Sequence, residues 1–201
     1  MEPIGQADGT RARIVDLVEA LIMERGFNAV SYQNVADQIG IRKASIHYHF
    51  PTKADLGIAV IARYIAKLQV VTVPVDGLCP TEVIVAFESF LGMFVAIGDS
   101  RKHICLGGVL GAEFETLPEA MQVAVRQFYA GATTWLKCLL ERGRLNGSLE
   151  FAGDGGAMAA ALIAMLEGGL IVARVTRDPH QFALVLIAAR ALVLPETDMS
   201  G

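Results

Sequence analysis

The chain is poor in charge and in cysteine. Only 19% of its 201 residues are Asp, Glu, Lys or Arg, with 17 basic against 21 acidic side chains and a net charge of -4. A uniformly basic surface is thereby excluded, so any contact with nucleic acid has to be local to one segment. The three cysteines, Cys79, Cys105 and Cys138, form no C-x-x-C pair. Zinc-ribbon and thioredoxin-like centres are not offered, and no metal is expected. An odd number of thiols, with an N-terminus (M-E-P-I-G-Q-A-D-G-T) that lacks the basic and apolar regions of a leader, leads us to expect a cytoplasmic protein. Gly-rich phosphate loops, G-x-S-x-G, H-E-x-x-H and carboxylate clusters are absent, so no catalytic residue and no cofactor is assigned. The longest apolar run, 155–173, is interrupted by Glu167 and dominated by glycine and alanine. A span needs about 20 strongly apolar residues, so a buried helix is expected there and no membrane contact.

Just over half of the side chains are apolar and mean hydropathy is positive, which gives ample material for a core and excludes disorder for most of the chain. Strand-type alternation is missing, and the periodicity is helical almost throughout. A first helix is expected over residues 10–25, with Ile14, Leu17, Val18, Leu21 and Ile22 on one stripe and Arg13, Asp16 and Glu19 on other faces. Gly26 supplies a left-handed stop and Phe27 its apolar contact. Ser31 caps a second helix that turns Val35, Ala36 and Ile39 inward. Gly40 makes a turn, Ile46 and Phe50 face inward from a third helix, and Pro51 ends it. Thr52 and Asp55 are spaced as a capping box for a fourth helix reaching about Val71. After a loop over residues 73–81, five more helices are expected, over 82–97, 103–115, 118–146, 154–176 and 179–193. The fold class is therefore all-α: a three-helix helix-turn-helix head over residues 1–60 and a helical ligand-binding and dimerisation body over 61–201.

The segment 40–56, G-I-R-K-A-S-I-H-Y-H-F-P-T-K-A-D-L, carries the chemistry. Its residues 42–49 set two basic residues, two histidines, a tyrosine and a hydroxyl on one helix-sized stretch. From Arg42 to Lys67 there are five basic residues and one acid, Asp55. Donors in this pattern suit a polyanion, as in the recognition helix of a DNA-binding head. His47 and His49 are two apart, diverge on a helix and cannot chelate one metal. Tyr48 and Phe50 are open to a plainer reading as core aromatics.

Gly26-Phe27, Ser31 with Val35-Ala36, Gly40-Ile41, and Tyr48-His49-Phe50 with Lys53 and Leu56 together resemble the N-terminal head of TetR-family transcriptional repressors, over about residues 10–60. The Y-H-F-x-x-K-x-x-L run is the specific part; the body matches only in helix count and length. The resemblance implies that Gln33, Lys43, Ala44, Ser45, His47, Tyr48, His49 and Lys53 face DNA, with Arg42 a further candidate at the same end. The chemistry agrees. Lys43 can reach guanine O6 or N7, Gln33 can bond adenine and Ala44 can touch a thymine methyl. Ser45, Tyr48, His49 and Lys53 suit phosphates. One departure is His47, where many members have tyrosine.

The last two helices are apolar on most sides, and small residues let their backbones approach. Pairing across a two-fold axis would bury them, with Met158, Leu162, Met165, Leu166, Leu170, Phe182 and Val185 at a homodimer interface; simple core packing is the alternative. Phe87, Phe90, Leu91, Phe94, Leu106, Leu110, Phe128 and Trp135 are candidates to line an effector cavity. Cys105, expected near the first turn of a short helix after Arg101, Lys102 and His103, is a candidate sensor thiol, because cations and a helix N-terminus favour thiolate. The expected partners are a palindromic double-stranded operator, a second copy of the chain and a small apolar or electrophilic effector that releases a repressor. Two alternatives are an adaptor that dimerises without binding DNA and, less favoured, a small helical enzyme.

Overall fold

The computed structural model describes residues 4–100 and 102–195, and among these the chain is all-α, with no strand. Its helices are α1 (Ile4–Arg25), α2 (Tyr32–Ile39), α3 (Lys43–His49), α4 (Lys53–Gln69), α5 (Pro80–Asp99), α6 (Leu106–Ala112), α7 (Glu119–Asn146), α8 (Gly155–Thr176) and α9 (Pro179–Ala191), with a 3-10 turn at Phe114–Thr116. The chain forms two compact units. One takes residues up to Lys67 together with Leu106–Phe128; the other takes Leu68–Cys105 and the residues from Tyr129 onward. This grouping differs from the functional division at residue 60, because the segment 106–128 packs with the head.

In the first unit, α1 buries Ile14, Val18, Leu21 and Ile22 as the stripe requires, and Val15 and Met23 join them. Leu17 is only half-buried. Glu19, expected on another face, is instead buried. Its carboxylate is satisfied there, since Lys67 Nζ donates to both oxygens at 2.7 and 2.9 Å. Arg63 pairs with Asp16 at 2.5 Å, so two ion pairs tie α1 to α4. Ser31 caps α2 by accepting from Asn34 N at 3.2 Å. Such a cap contributes about 1 kcal/mol. Gly40, at φ +76°, closes α2 in the left-handed region that side chains avoid. Thr52 and Asp55 form the capping box of α4: Asp55 Oδ2 accepts from Thr52 N at 2.9 Å and Thr52 Oγ1 accepts from Asp55 N at 3.1 Å.

In the second unit, α8 and α9 pack closely. A Cβ at Gly169 would press on Val185 and Phe182, so glycine sets the approach. The expected interface residues Leu162, Leu166, Leu170 and Phe182 are buried within this unit. Both helices are apolar nearly all round, so periodicity could not choose which stripe turns inward. The outward apolar residues are Ile171, Val172 and Val175 on α8 and Leu184 and Ile187 on α9, with the last two 60% and 62% exposed. Met158, Met165 and Val185 are half-buried. By length and composition α5 and α8 could each cross a bilayer. In α8, however, the α9 packing and a largely buried carboxyl, Glu167, are features of a core helix. Arg190 clasps Glu88 through Nε and Nη2 at 2.8 and 2.6 Å, tying α9 to α5 and holding the Glu88 carboxyl below its usual range.

Candidate nucleic-acid interface

The interface is built on α2, α3 and the start of α4. On α3, Ile46 is fully buried, and Phe50, which caps its C-terminus, is buried too. These two anchors fix the helix rotation. Lys43, Ala44 and His47 are consequently exposed, Tyr48 is 80% exposed, and Ser45 and His49 are half-buried. Tyr48 is thus not a core aromatic, whereas Phe50 is. Arg42, at the N-cap of α3, makes no capping bond with its side chain and is exposed. Gln33 is exposed on α2 and donates to Asp37 Oδ1 at 2.8 Å. α3 therefore presents a continuous face of one ammonium, one imidazole and one phenol, with the Arg42 guanidinium at its start.

The face is braced from beneath by residues that sequence reasoning passed over. Tyr32, buried on α2, directs its hydroxyl to Phe50 O at 2.8 Å and Thr52 O at 2.6 Å, gripping the α3–α4 corner. Burial, with Asp55 adding to it, pushes its phenol up to about 12. The His47 ring lies 4.7 Å from that of Tyr32, tilted by 59°. The Arg11 guanidinium sits 5.1 Å from the centre of the Phe50 ring, and Arg13 donates to Ile39 O at 3.3 Å. Only the phenolic oxygen of Tyr32 had a sequence signal, since a buried hydroxyl needs a partner. Lys53 is placed differently from the other candidates. It is half-buried, with Nζ donating to Asn28 O at 3.3 Å and lying 4.4 Å from the centre of the Phe27 ring. Burial lowers its pKa, and the Glu113 charge pulls the other way.

The candidate effector residues fall in two places. Leu106, Leu110 and Phe128, with Ile61, Tyr64, Gly107 and Val125, line a small apolar cavity of about 10 Å³ in the first unit. Phe87, Phe90, Leu91 and Phe94 are buried on α5 in the second unit, where Phe90 packs its ring 5.4 Å from Phe94 and 5.8 Å from Trp135. Cys105 is buried, at 3% exposure, and immediately precedes the first turn of α6. The Cys105 thiol hydrogen-bonds Glu167, whose own pKa is raised by burial despite that bond. Arg101 lies outside the described residues. Cys79 and Cys138 are exposed.

A short helix held by two buried anchors, showing cations and aromatics outward beside a capped turn, defines a helix-turn-helix DNA-binding protein. Residues 14–60 match the sequence profile of the bacterial regulatory proteins of the tetR family. A TetR transcriptional regulator from Legionella pneumophila is 33% identical, with a TM-score of 0.77 over 90% of this chain and 96% of its own. The chain belongs to the TetR family of transcriptional regulators. It is also similar to a TetR-family regulator from Agrobacterium tumefaciens, at 27% identity and a TM-score of 0.83 over 92% of this chain and 98% of that one. The HTH-type transcriptional repressor NemR of Escherichia coli strain K12 is 26% identical over 181 residues, which is 87% of this chain and 90% of NemR. TetR-family regulators are dimers that bind DNA operators and small-molecule effectors, and the family is not one of enzymes.

Proposed function

We propose that the chain is a cytoplasmic, non-enzymatic repressor that binds a palindromic operator as a homodimer and leaves it when a small apolar effector binds. The observation that carries this reading is the outward face of α3, with Lys43, His47 and Tyr48 exposed over buried Ile46 and Phe50. Residues 1–60 form the DNA-binding part and residues 61–201 the sensing and dimerising part. Lys43, Gln33 and Ala44 read base edges. Arg42, Ser45, His47, Tyr48 and His49 contact the backbone, and Lys53 joins them at the start of α4 by exchanging its contact with Asn28 O for a phosphate. The dimer forms through the outward stripes of α8 and α9, with Val175, Leu184 and Ile187 as its most exposed apolar residues. Two heads then meet successive major-groove faces of one duplex.

The effector enters the apolar cavity between α4, α6 and α7, biases α4 as a pendulum and shifts the population toward heads spaced wrongly for the operator. An apolar effector matches the lining of this cavity. A gel shift on the intergenic DNA upstream of the protein's own gene tests the reading. The expected result is a complex that Lys43→Ala weakens and that disperses as salt rises. A chain that leaves this DNA and random genomic fragments unshifted at low salt defeats it.

A further inference from the structure

The face of α6 that lines the cavity ends in a second contact. Leu106, Gly107 and Leu110 form one wall, facing Ile61 and Tyr64 of α4 and Val125 and Phe128 of α7. Glu113 follows one turn later and continues the helical bonding, its N–H donating to Val109 O at 3.2 Å. Its carboxylate enters the α1–α2 turn, where Oε2 accepts from Phe27 N at 2.7 Å and Asn28 N at 3.3 Å. The Asn28 amide donates to Thr116 Oγ1 at 2.7 Å, just past Glu113. Gly26 leads into this turn at φ +92°, and a Cβ there would overlap the Glu113 carboxylate. Glycine at that position therefore serves both the backbone and the carboxylate. Bonds from backbone amides to a charged acceptor are roughly twice as strong as neutral ones, and these amides follow the end of α1.

We propose that Glu113 is the positioning residue that holds the α1–α2 turn to α6, so that widening the cavity draws this clamp off the turn and unsettles the helix-turn-helix head. The inference rests on the reading that an effector acts through the cavity. At about 10 Å³ the cavity is no larger than a water molecule, so a ligand has to displace a wall. The wall best able to yield is α6, which has seven residues, three of them glycine. A helix that short moves as a piece. A shift of about an ångström at Leu110 carries the Phe27 N bond beyond hydrogen-bonding range.

The test uses the full-length protein and needs no effector. Gly107→Leu wedges the cavity from α6, and Val125→Phe wedges it from α7 should the first variant fail to fold. Amide hydrogen exchange at Phe27 and Asn28 and binding to the upstream intergenic DNA are read together. Each wedge is expected to speed exchange at both amides and to weaken DNA binding, each by about tenfold. Glu113→Ala does the same alone, and a wedge adds little in the Glu113→Ala background. A wedge that weakens DNA binding while both amides stay protected overturns the clamp and leaves the effector reading standing, with α4 as the route. A folded wedge variant that alters neither quantity overturns both. Full additivity of wedge and Glu113→Ala also overturns the clamp.

Discussion

At the scale of single residues, the head rests on a few side chains with sharply different jobs. Lys43 is exposed on α3 and makes no hydrogen bond or ion pair among the described residues. Lys43→Ala should leave thermal stability within about 0.5 kcal/mol of the parent while weakening DNA binding by about 1–3 kcal/mol, measured by gel shift across a salt series. Tyr32 is the opposite case. Tyr32→Phe removes a buried hydroxyl from Phe50 O and Thr52 O and should destabilise the protein by about 1–2 kcal/mol in urea unfolding. Its phenol has a folded-state pKa of about 12 against an ordinary 10.0. The sign follows: stability from the neutral phenol is complete below pH 10 and is lost as pH rises towards 12, so an ultraviolet titration should show this tyrosine ionising above the ordinary tyrosine range or only on unfolding. The exposed residues of α3 were legible in the sequence because Ile46, Phe50 and Pro51 fix the rotation of so short a helix. Tyr32 was less legible, since a tyrosine between Ser31 and Gln33 fits a core or a surface equally well. Glu19 was misplaced for a clearer reason: its partner Lys67 lies 48 positions away, and helical spacing within α1 says nothing about it.

At the scale of elements, the sequence was most informative where punctuation was strong. Ser31, Gly40 and the Thr52–Asp55 pair set the limits of α2 and α4 and were found where structure puts them. The short helix expected over 103–115 shrinks to Leu106–Ala112, because Ser100 Oγ accepts from His103 N at 3.0 Å and its three glycines weaken propagation. On α8 and α9 the all-round apolar character hid which stripe turns inward. Leu162, Leu166 and Leu170, expected at a dimer interface, form the inner stripe of α8. This gives a paired prediction. Leu162→Ala should cost about 2–5 kcal/mol of stability by leaving a core cavity. Ile187→Glu, 62% exposed, should keep the fold but turn the dimer into monomer in analytical ultracentrifugation. Loss of dimer from a folded Leu162→Ala protein and none from Ile187→Glu would reverse the assignment of faces.

At the scale of the whole molecule, the all-α fold was legible because helical periodicity, caps and breakers agree along nearly the whole chain. The grouping of 106–128 with the head was not, since Glu113 reaches a turn 86 positions distant through backbone amides that carry no sequence mark. The body also holds a dependence on pH. Burial raises the pKa of Glu167 above its ordinary 4.5, and one of its oxygens, Oε2, is buried without a hydrogen-bond partner among the described residues. A raised carboxyl pKa favours the protonated folded state, so its contribution is complete below pH 4.5 and is lost as pH rises through the folded value. Glu167→Gln should therefore raise the melting temperature by a few degrees, about 1 kcal/mol, at pH 8 and by little at pH 4.5 in differential scanning calorimetry. The candidate effector-site hydrophobics were legible only as a type: Leu106, Leu110 and Phe128 border the cavity while Phe87 and Leu91 are sealed in core, and aromatics at helical spacing look alike in both settings.

The tightness of that cavity bears on timing. Under the proposed mechanism, a site with no room for its guest until its own wall swings aside sets the pace of the response from within the protein. Doubling a scarce inducer would hasten release, but beyond some dose the lag would level off at the waiting time for spontaneous opening, and a cell carrying this regulator would answer a flood of the compound no sooner than a moderate supply.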